Sequence, residues 1–173
     1  GAVGDRMSTS PWHLVFTGVS GSGKSTVALA VQERLGWEFA EGDDLHPPEN
    51  VAKMSAGRPL NDQDRAGWLR TLADWTRERD ERGIPTLLSC SALRRTYRDT
   101  LSEGGAGTFF VHLTGNKHLL LQRMQSRDHF MPPTLLESQL ATLEPLQPDE
   151  RGASYDVEMT PDAIAAQVEG LVS

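Results

Sequence analysis

The stretch Gly18-Val19-Ser20-Gly21-Ser22-Gly23-Lys24-Ser25 fits the pattern G-x-x-x-x-G-K-[ST]. Glycines at these spacings let the backbone turn tightly and aim its N–H groups at phosphate oxygens. A helix starting at the end of the loop adds the positive end of its dipole. Lys24 can reach β- and γ-phosphates, and Ser25 can ligate Mg²⁺. The pattern points to a nucleoside triphosphate without saying what is done with it. A guanine-reading switch needs N-K-x-D; the nearest string is Asn116-Lys117-His118-Leu119, and Leu119 cannot accept the guanine hydrogen bonds. A motor ATPase needs more chain, which leaves a small kinase as the leading class.

A second group of chemical residues follows. Glu41-Gly42-Asp43-Asp44-Leu45-His46-Pro47 comes after a short apolar run. A carboxylate at the end of a strand sits where open α/β sheets bind ligands, and Asp43 there could take a proton from an attacking hydroxyl. A turn or a helix cap is an equally good use of Asp43 and Asp44, and a surface position an ordinary one for His46. Lys53, Arg58 and Arg65 come next, with Asp62 and Asp64 between them. They read either as a solvated mixed-charge face with a cap at Asp62, or as a set for a polyhydroxylated acid. In the second case the cations hold its carboxylate, and Asp and His bind its hydroxyls. Ser89 and Ser91 offer hydroxyls to a metal-bound water or to the acceptor. Arg94, Arg95 and Arg98 form a basic turn opening a helix, and Cys90 between the serines reads as a buried small residue.

These residues need a scaffold, and the hydrophobic pattern supplies one. Apolar runs at His13–Thr17, Trp37–Ala40, Thr86–Cys90, Thr108–Leu113 and Tyr155–Met159 read as strands. Between them, helical spacing predicts helices over Ser25–Leu35, Pro47–Met54, from Asn61 or Asp62 to Arg82, Arg94–Leu101, Asn116–Arg127, Pro133–Leu143 and Pro161–Val172. Asp128–Pro133 is a break. Alternating strands and helices predict an α/β protein with a mainly parallel sheet and helices on both faces.

Composition narrows the class. The chain has 173 residues, enough for one domain. With 17 Lys plus Arg against 24 Asp plus Glu, the net charge is −7, which argues against nucleic acid as a partner. One cysteine excludes an intrachain disulfide and a multi-cysteine zinc site. No apolar run approaches the roughly 20 residues of a membrane span, so no membrane partner is expected. Residues 1–11 lack the apolar stretch of a signal peptide, and Met7 suits a natural start with Gly1–Arg6 as an appended remnant. The cytoplasm is the expected compartment. Residues 1–12 are expected to lie outside the fold, and 13–173 to form one domain.

Four segments together resemble the gluconate kinases (gluconokinases) of the P-loop small-molecule kinases. They are GVSGSGKST at Gly18–Thr26, EGDDLHPPENVAKMSAGRPLNDQDRAGWL at Glu41–Leu69, CSALRRTYRDTL at Cys90–Leu101 and HFMPPTLLESQLATLEPLQPDE at His129–Glu150. The second and fourth are far more specific than the phosphate loop. One departure is Arg94, where such enzymes usually carry lysine.

The resemblance implies a three-layer fold like those of shikimate and adenylate kinases, with a five-stranded parallel sheet. It adds a helical acceptor-binding region at about 43–82 and a lid at about 126–134. It implies transfer of the ATP γ-phosphoryl, with Mg²⁺, to the 6-hydroxyl of D-gluconate, by a homodimer. ATP would be held by Gly18, Val19, Ser20, Gly21, Ser22, Gly23, Lys24, Ser25 and Thr26, with Arg123 and Arg127, one helical turn apart, as a lid pair. Ser25 would be the metal ligand. Lys24, Asp43 and Arg127 would be catalytic, and Asp43, His46, Lys53, Arg58, Asp64, Arg65, Arg94 and Arg98 would bind the acceptor. The competing readings are a kinase for another acceptor, such as shikimate or a nucleoside monophosphate, and a non-catalytic nucleotide-binding module.

Overall fold

The apolar runs assemble into a single sheet in the computed structural model, which describes residues 10–19, 22–58, 60–125 and 133–173. The strands are β1 His13–Thr17, β2 Glu38–Glu41, β3 Thr86–Ser89, β4 Thr108–Thr114 and β5 Gly152–Asp156. All neighbours pair in parallel, in the order β2-β3-β1-β4-β5. The helices are α1 Lys24–Leu35, α2 Pro48–Ser55, α3 Asp62–Glu81, α4 Arg95–Ser102, α5 Lys117–Gln125, α6 Pro133–Thr142 and α7 Pro161–Val172. No helix among the described residues is long and apolar enough to cross a membrane.

The strand pleat splits the core in two. Leu14 and Phe16 of β1, with Leu87, Val111 and Leu113, pack against Val27 and Val31 of α1 and Ile164 and Val168 of α7. Val15 points the other way and joins Leu88 and Phe110 against Trp68, Leu69 and Leu72 of α3 and Leu101 of α4. A parallel sheet covered on both faces is the arrangement that continuous apolar strands require.

Two boundaries differ from the sequence reading. The last strand is Gly152–Asp156, three residues before the expected Tyr155–Met159. Gly152 sits opposite Phe110, where a Cβ would come 2.7 Å from the Phe110 carbonyl oxygen. Close backbone approach, rather than β propensity, starts this strand. The fold also begins before residue 13. The Trp12 ring packs edge-on against Phe109 at 5.7 Å, and the Trp12 carbonyl accepts the Thr86 N–H at 3.0 Å. Residues 1–9 of the expected outer segment lie outside the described residues.

The topology locates a crevice. From β1 the chain crosses to β2 at one edge, and from β3 it crosses back to β4 on the far side of β1. Ligands of open α/β sheets bind beyond the carboxyl ends of strands that diverge in this way. Those ends carry Thr17 and the phosphate loop, Glu41 and the short 3-10 turn Gly42–Leu45, and Ser89 with the loop to Arg94.

Candidate active site

The phosphate loop leaves β1 through Gly18, whose φ of +143° and crowding suit only glycine. A Cβ there would lie 2.8 Å from both the Leu113 carbonyl oxygen and Ser22 Oγ. The loop returns at Gly23, and Val27 N–H donates to the Gly23 carbonyl at 2.9 Å to start α1. The Lys24 ammonium folds back and donates to the carbonyls of Gly18 at 3.1 Å and Val19 at 3.2 Å. Ser22 Oγ is buried and makes no hydrogen bond among the described residues. Ser20 and Gly21 lie outside the described residues, as do Arg127 and lid residues 126–132.

Glu41, quoted in the sequence without a role, proves central. One oxygen of its carboxylate accepts the hydroxyls of both Ser25, from α1, and Ser89, from β3. A Cβ on Gly42 would collide with the Ser89 carbonyl, so glycine lets the 3-10 turn close against β3 and present Asp43. The signal available in sequence was an acid at the last residue of a strand, two before Asp43.

Beyond this lies a cavity of about 310 Å³. Asp43, His46, Arg65 and Arg94 line it, so the structure brings four of the expected acceptor residues together. Trp68, Ser91, Ala92, Leu93 and Tyr97 complete one side, and Ser138, Gln139 and Thr142 of α6 face them. The α6 residues lie in the His129–Glu150 segment that carries the family resemblance, but none of them was singled out for a role in the sequence. The cavity wall is continuous with the phosphate loop, because Ser91 accepts the Gly18 N–H at 3.3 Å. Arg94 forms no ion pair among the described residues, whereas Arg65 reaches Asp62 at 3.4 Å.

Four other expected acceptor residues are placed elsewhere. Lys53 and Asp64 pair with each other at 2.7 Å, joining α2 to α3. Asp64 also accepts the Asn61 N–H at 3.0 Å, while Asn61 Oδ1 accepts the Asp64 N–H at 2.8 Å. This reciprocal capping box starts α3. The Lys53 ammonium and the Asn61 amide hold the Asp64 carboxyl below the usual carboxylate range. Arg58 is exposed just past the end of α2 and does not line the cavity. Arg98 is 1% exposed and forks onto Glu150, with Nε to Oε1 at 2.7 Å and Nη2 to Oε2 at 3.0 Å. Its Nη1 donates to the Ala92 carbonyl at 3.0 Å, so it stands behind the cavity wall rather than in it.

A second, smaller cleft lies on the opposite side of the phosphate loop. Ser22, Gly23, Thr26 and Arg123 line it with Val157, Met159 and Pro161, which follow β5. Cys90 is buried and its thiol is pushed up to about 12, which makes it unreactive.

His112 of β4 lies directly beneath the loop, its Nδ1 3.0 Å from the hydroxyl of Thr17. Burial, with the Arg98 guanidinium adding to it, pushes this imidazole down to about 4 from 6.5. The folded protein then binds fewer protons than the unfolded chain. Stability is complete above pH 6.5 and falls as pH drops towards 4, by about 3 kcal/mol for this group alone. Burial shifts His13 and His46 in the same direction. Thermal melts from pH 7 to 4.5 are expected to show a falling midpoint, with a shallower fall in His112→Gln. Equal slopes would remove His112 as the cause.

The Shikimate kinase family model matches residues 20–162. A gluconokinase of Gluconobacter oxydans (strain 621H) is 48% identical over 164 residues, covering 94% of this chain and 92% of its own. The unliganded crystal structure of a sugar kinase from Janibacter sp. HTCC2649 superposes with a TM-score of 0.85 at 48% identity, covering 94% of each chain. A gluconokinase structure from Sinorhizobium meliloti 1021 gives 0.77 at 44% identity, covering 94% of this chain and 97% of its own. Identity at this level over nearly the full length makes this chain a member of the gluconokinase family of P-loop kinases.

Proposed function

We propose that the protein transfers the γ-phosphoryl group of ATP to the 6-hydroxyl of D-gluconate, releasing ADP and 6-phospho-D-gluconate. The loop Ser91–Arg94 carries this reading, because it bonds to the phosphate loop at Gly18 and also walls the cavity that holds Asp43. Donor and acceptor sites therefore share one wall.

The residues fit ATP. The buried Ser22 hydroxyl, unbonded among the described residues, and the crowded Gly18 leave a backbone cradle suited to phosphate oxygens. They also fit Mg²⁺, which prefers oxygen ligands and is held by one or two protein groups plus phosphates. Ser25 would be the direct ligand, with Glu41 and Ser89 ordering its water shell. The metal, when bound, supplies charge neutralisation on the β- and γ-phosphates. Lys24 exchanges its two carbonyl partners for phosphate oxygens. Asp43 accepts the proton of the attacking hydroxyl and aims it. Arg94, which forms no ion pair among the described residues, would fork onto the gluconate carboxylate, with Arg65 lining the same cavity. The cleft beside Thr26, Arg123 and Pro161 takes the nucleobase, and Arg127 of the lid would complete the charge around the transferring group. Phosphoryl transfer is loose, so positioning and electrostatics matter more than a strong base.

The test is ADP release from ATP and Mg²⁺ with D-gluconate, shikimate, AMP or no acceptor. Stimulation by gluconate alone is expected; stimulation only by another acceptor would overturn the reading. The same reading takes the working enzyme as a cytoplasmic homodimer, and light scattering that returned the monomer mass would remove the dimer.

Mutation separates the cavity residues from those outside it. Arg94→Ala is expected to raise the KM for gluconate about tenfold or more, as loss of a charge-assisted contact does, with a smaller change in kcat. Arg58→Ala is expected to leave that KM within about twofold. Asp43→Ala should act mainly on kcat, lowering it about a hundredfold. The reverse ranking of Arg94 and Arg58 in steady-state kinetics would reassign the carboxylate contact.

A further inference from the structure

We infer that Asn50 is a positioning residue that fixes His46 in one neutral tautomer, with its proton on Nε2, so that His46 offers a donor to an oxygen of the polyol acceptor. The acceptor half of this inference rests on the gluconate reading above, and the tautomer half does not.

Asn50 is 3% exposed on α2, although it is an amide. Its Nδ2 lies 3.0 Å from the Asp64 carbonyl oxygen and 3.2 Å from His46 Nδ1. A backbone carbonyl can only accept, so the atom facing it must be the amide nitrogen. The flipped amide would set two oxygens 3.0 Å apart with no hydrogen between them. The amide nitrogen has two hydrogens, one for each neighbour. His46 Nδ1 must then accept, and the one proton of the neutral ring belongs on Nε2.

The plane of the ring is fixed independently. His46 stacks on Trp68 at 4.5 Å between centroids and 15° between planes. Trp68 is itself held by Nε1–H donating to the Gly42 carbonyl at 2.8 Å. Stacking alone allows the imidazole to be turned over in its plane, and Asn50 selects one of the two orientations. His46 Nε2 has no hydrogen-bond partner among the described residues, and the ring lines the cavity beside Asp43.

The charged groups around the ring come from three elements. Asp43 belongs to the 3-10 turn, Arg65 to α3 and Arg94 to the loop before α4. Asp64 is taken up by Lys53. Burial holds His46 below the ordinary imidazole value, against the opposing pull of the Asp43 carboxylate. The cavity therefore shows a neutral N–H donor next to a carboxylate acceptor. That pair recognises neighbouring oxygens of a polyol, one accepting from His46 and one donating to Asp43.

The test reads the tautomer directly. Imidazole ¹⁵N NMR of the ligand-free protein, with the His46 signals assigned by their loss in His46→Gln, is expected to show a protonated Nε2 and a bare Nδ1. In Asn50→Asp the carboxylate can only accept, so the ring should move to Nδ1–H or to the cation. In Asn50→Leu the preference should be lost. Both variants should raise the KM for gluconate about tenfold, the order of one lost hydrogen bond, with the KM for ATP within twofold. A wild-type ring protonated on Nδ1, or an unchanged ring in Asn50→Asp, would overturn the tautomer assignment. The expected ring with an unchanged gluconate KM in Asn50→Leu would overturn the donor role. The expected ring in an enzyme that gluconate does not stimulate would support the tautomer and overturn the acceptor reading.

Discussion

Lys24→Met is expected to lower kcat by about a thousandfold while weakening ATP binding far less. Removal of one preorganised electrostatic contact to the reacting group typically costs a hundred- to a thousandfold. Lys24 acts where negative charge redistributes during transfer, so its contribution is larger in the transition state than in the ground state. The ligand-free geometry explains why this cation can move. Its ammonium donates to the neutral carbonyls of Gly18 and Val19. Exchange onto phosphate replaces bonds from the ammonium to neutral carbonyls with bonds in which both partners are charged. Methionine keeps most of the stem and its packing. Calorimetric ATP binding and steady-state turnover with both substrates saturating give the comparison. A kcat within tenfold of wild type would assign the charge stabilisation to the arginines instead.

The phosphate loop and the first four strands were legible in sequence because each is written contiguously. The loop is eight consecutive residues, and β1, β3 and β4 are largely apolar runs buried on both faces. The last strand was misplaced because Gly152-Ala153-Ser154 carries almost no β propensity; its pairing with β4 is imposed by position and by the room Gly152 leaves. Within the acceptor set, residue type could not separate ligand groups from scaffold. Asp43 and Asp64 are both acids near helix starts, yet one faces the cavity and the other closes a capping box with Asn61. The box was visible as Asn61-x-x-Asp64, a variant of the usual Ser/Thr and Glu pattern. Arg94 and Arg98 are four residues apart, but Arg98 shares the buried face of α4 with Leu101. A buried arginine in that phase needs a buried acid, and Glu150, some fifty residues later, could not be paired with it from sequence.

That pair carries the largest expected effect on stability. Arg98 and Glu150 are 1% and 4% exposed, so Arg98→Ala leaves a carboxylate buried without its counter-charge. Such a loss costs about 3–5 kcal/mol, a large share of the roughly 5–15 kcal/mol that holds a domain folded. Burial alone would raise the Glu150 carboxyl, but Arg98 and the Gln147 amide offset this and hold it below the usual range. Without Arg98 the acid should take up a proton, and the variant should lose stability most steeply above pH 5. Replacing both partners, as in Arg98→Met with Glu150→Leu, removes the unpaired charge and should recover much of the loss. The two single effects would then be strongly non-additive. Function should not recover in parallel, because Arg98 also holds the Ala92 carbonyl, and Ala92 sits at φ +43° on the cavity wall. Its neighbour Leu93 accepts the Glu144 N–H at 2.7 Å, tying the same loop to the segment after α6. The double variant should therefore melt near the wild type yet show a raised KM for gluconate. Urea unfolding of the two single variants and the double, beside steady-state kinetics, separates the two roles. A double variant as unstable as the sum of the singles would mean that packing volume, and not charge pairing, is what this site supplies.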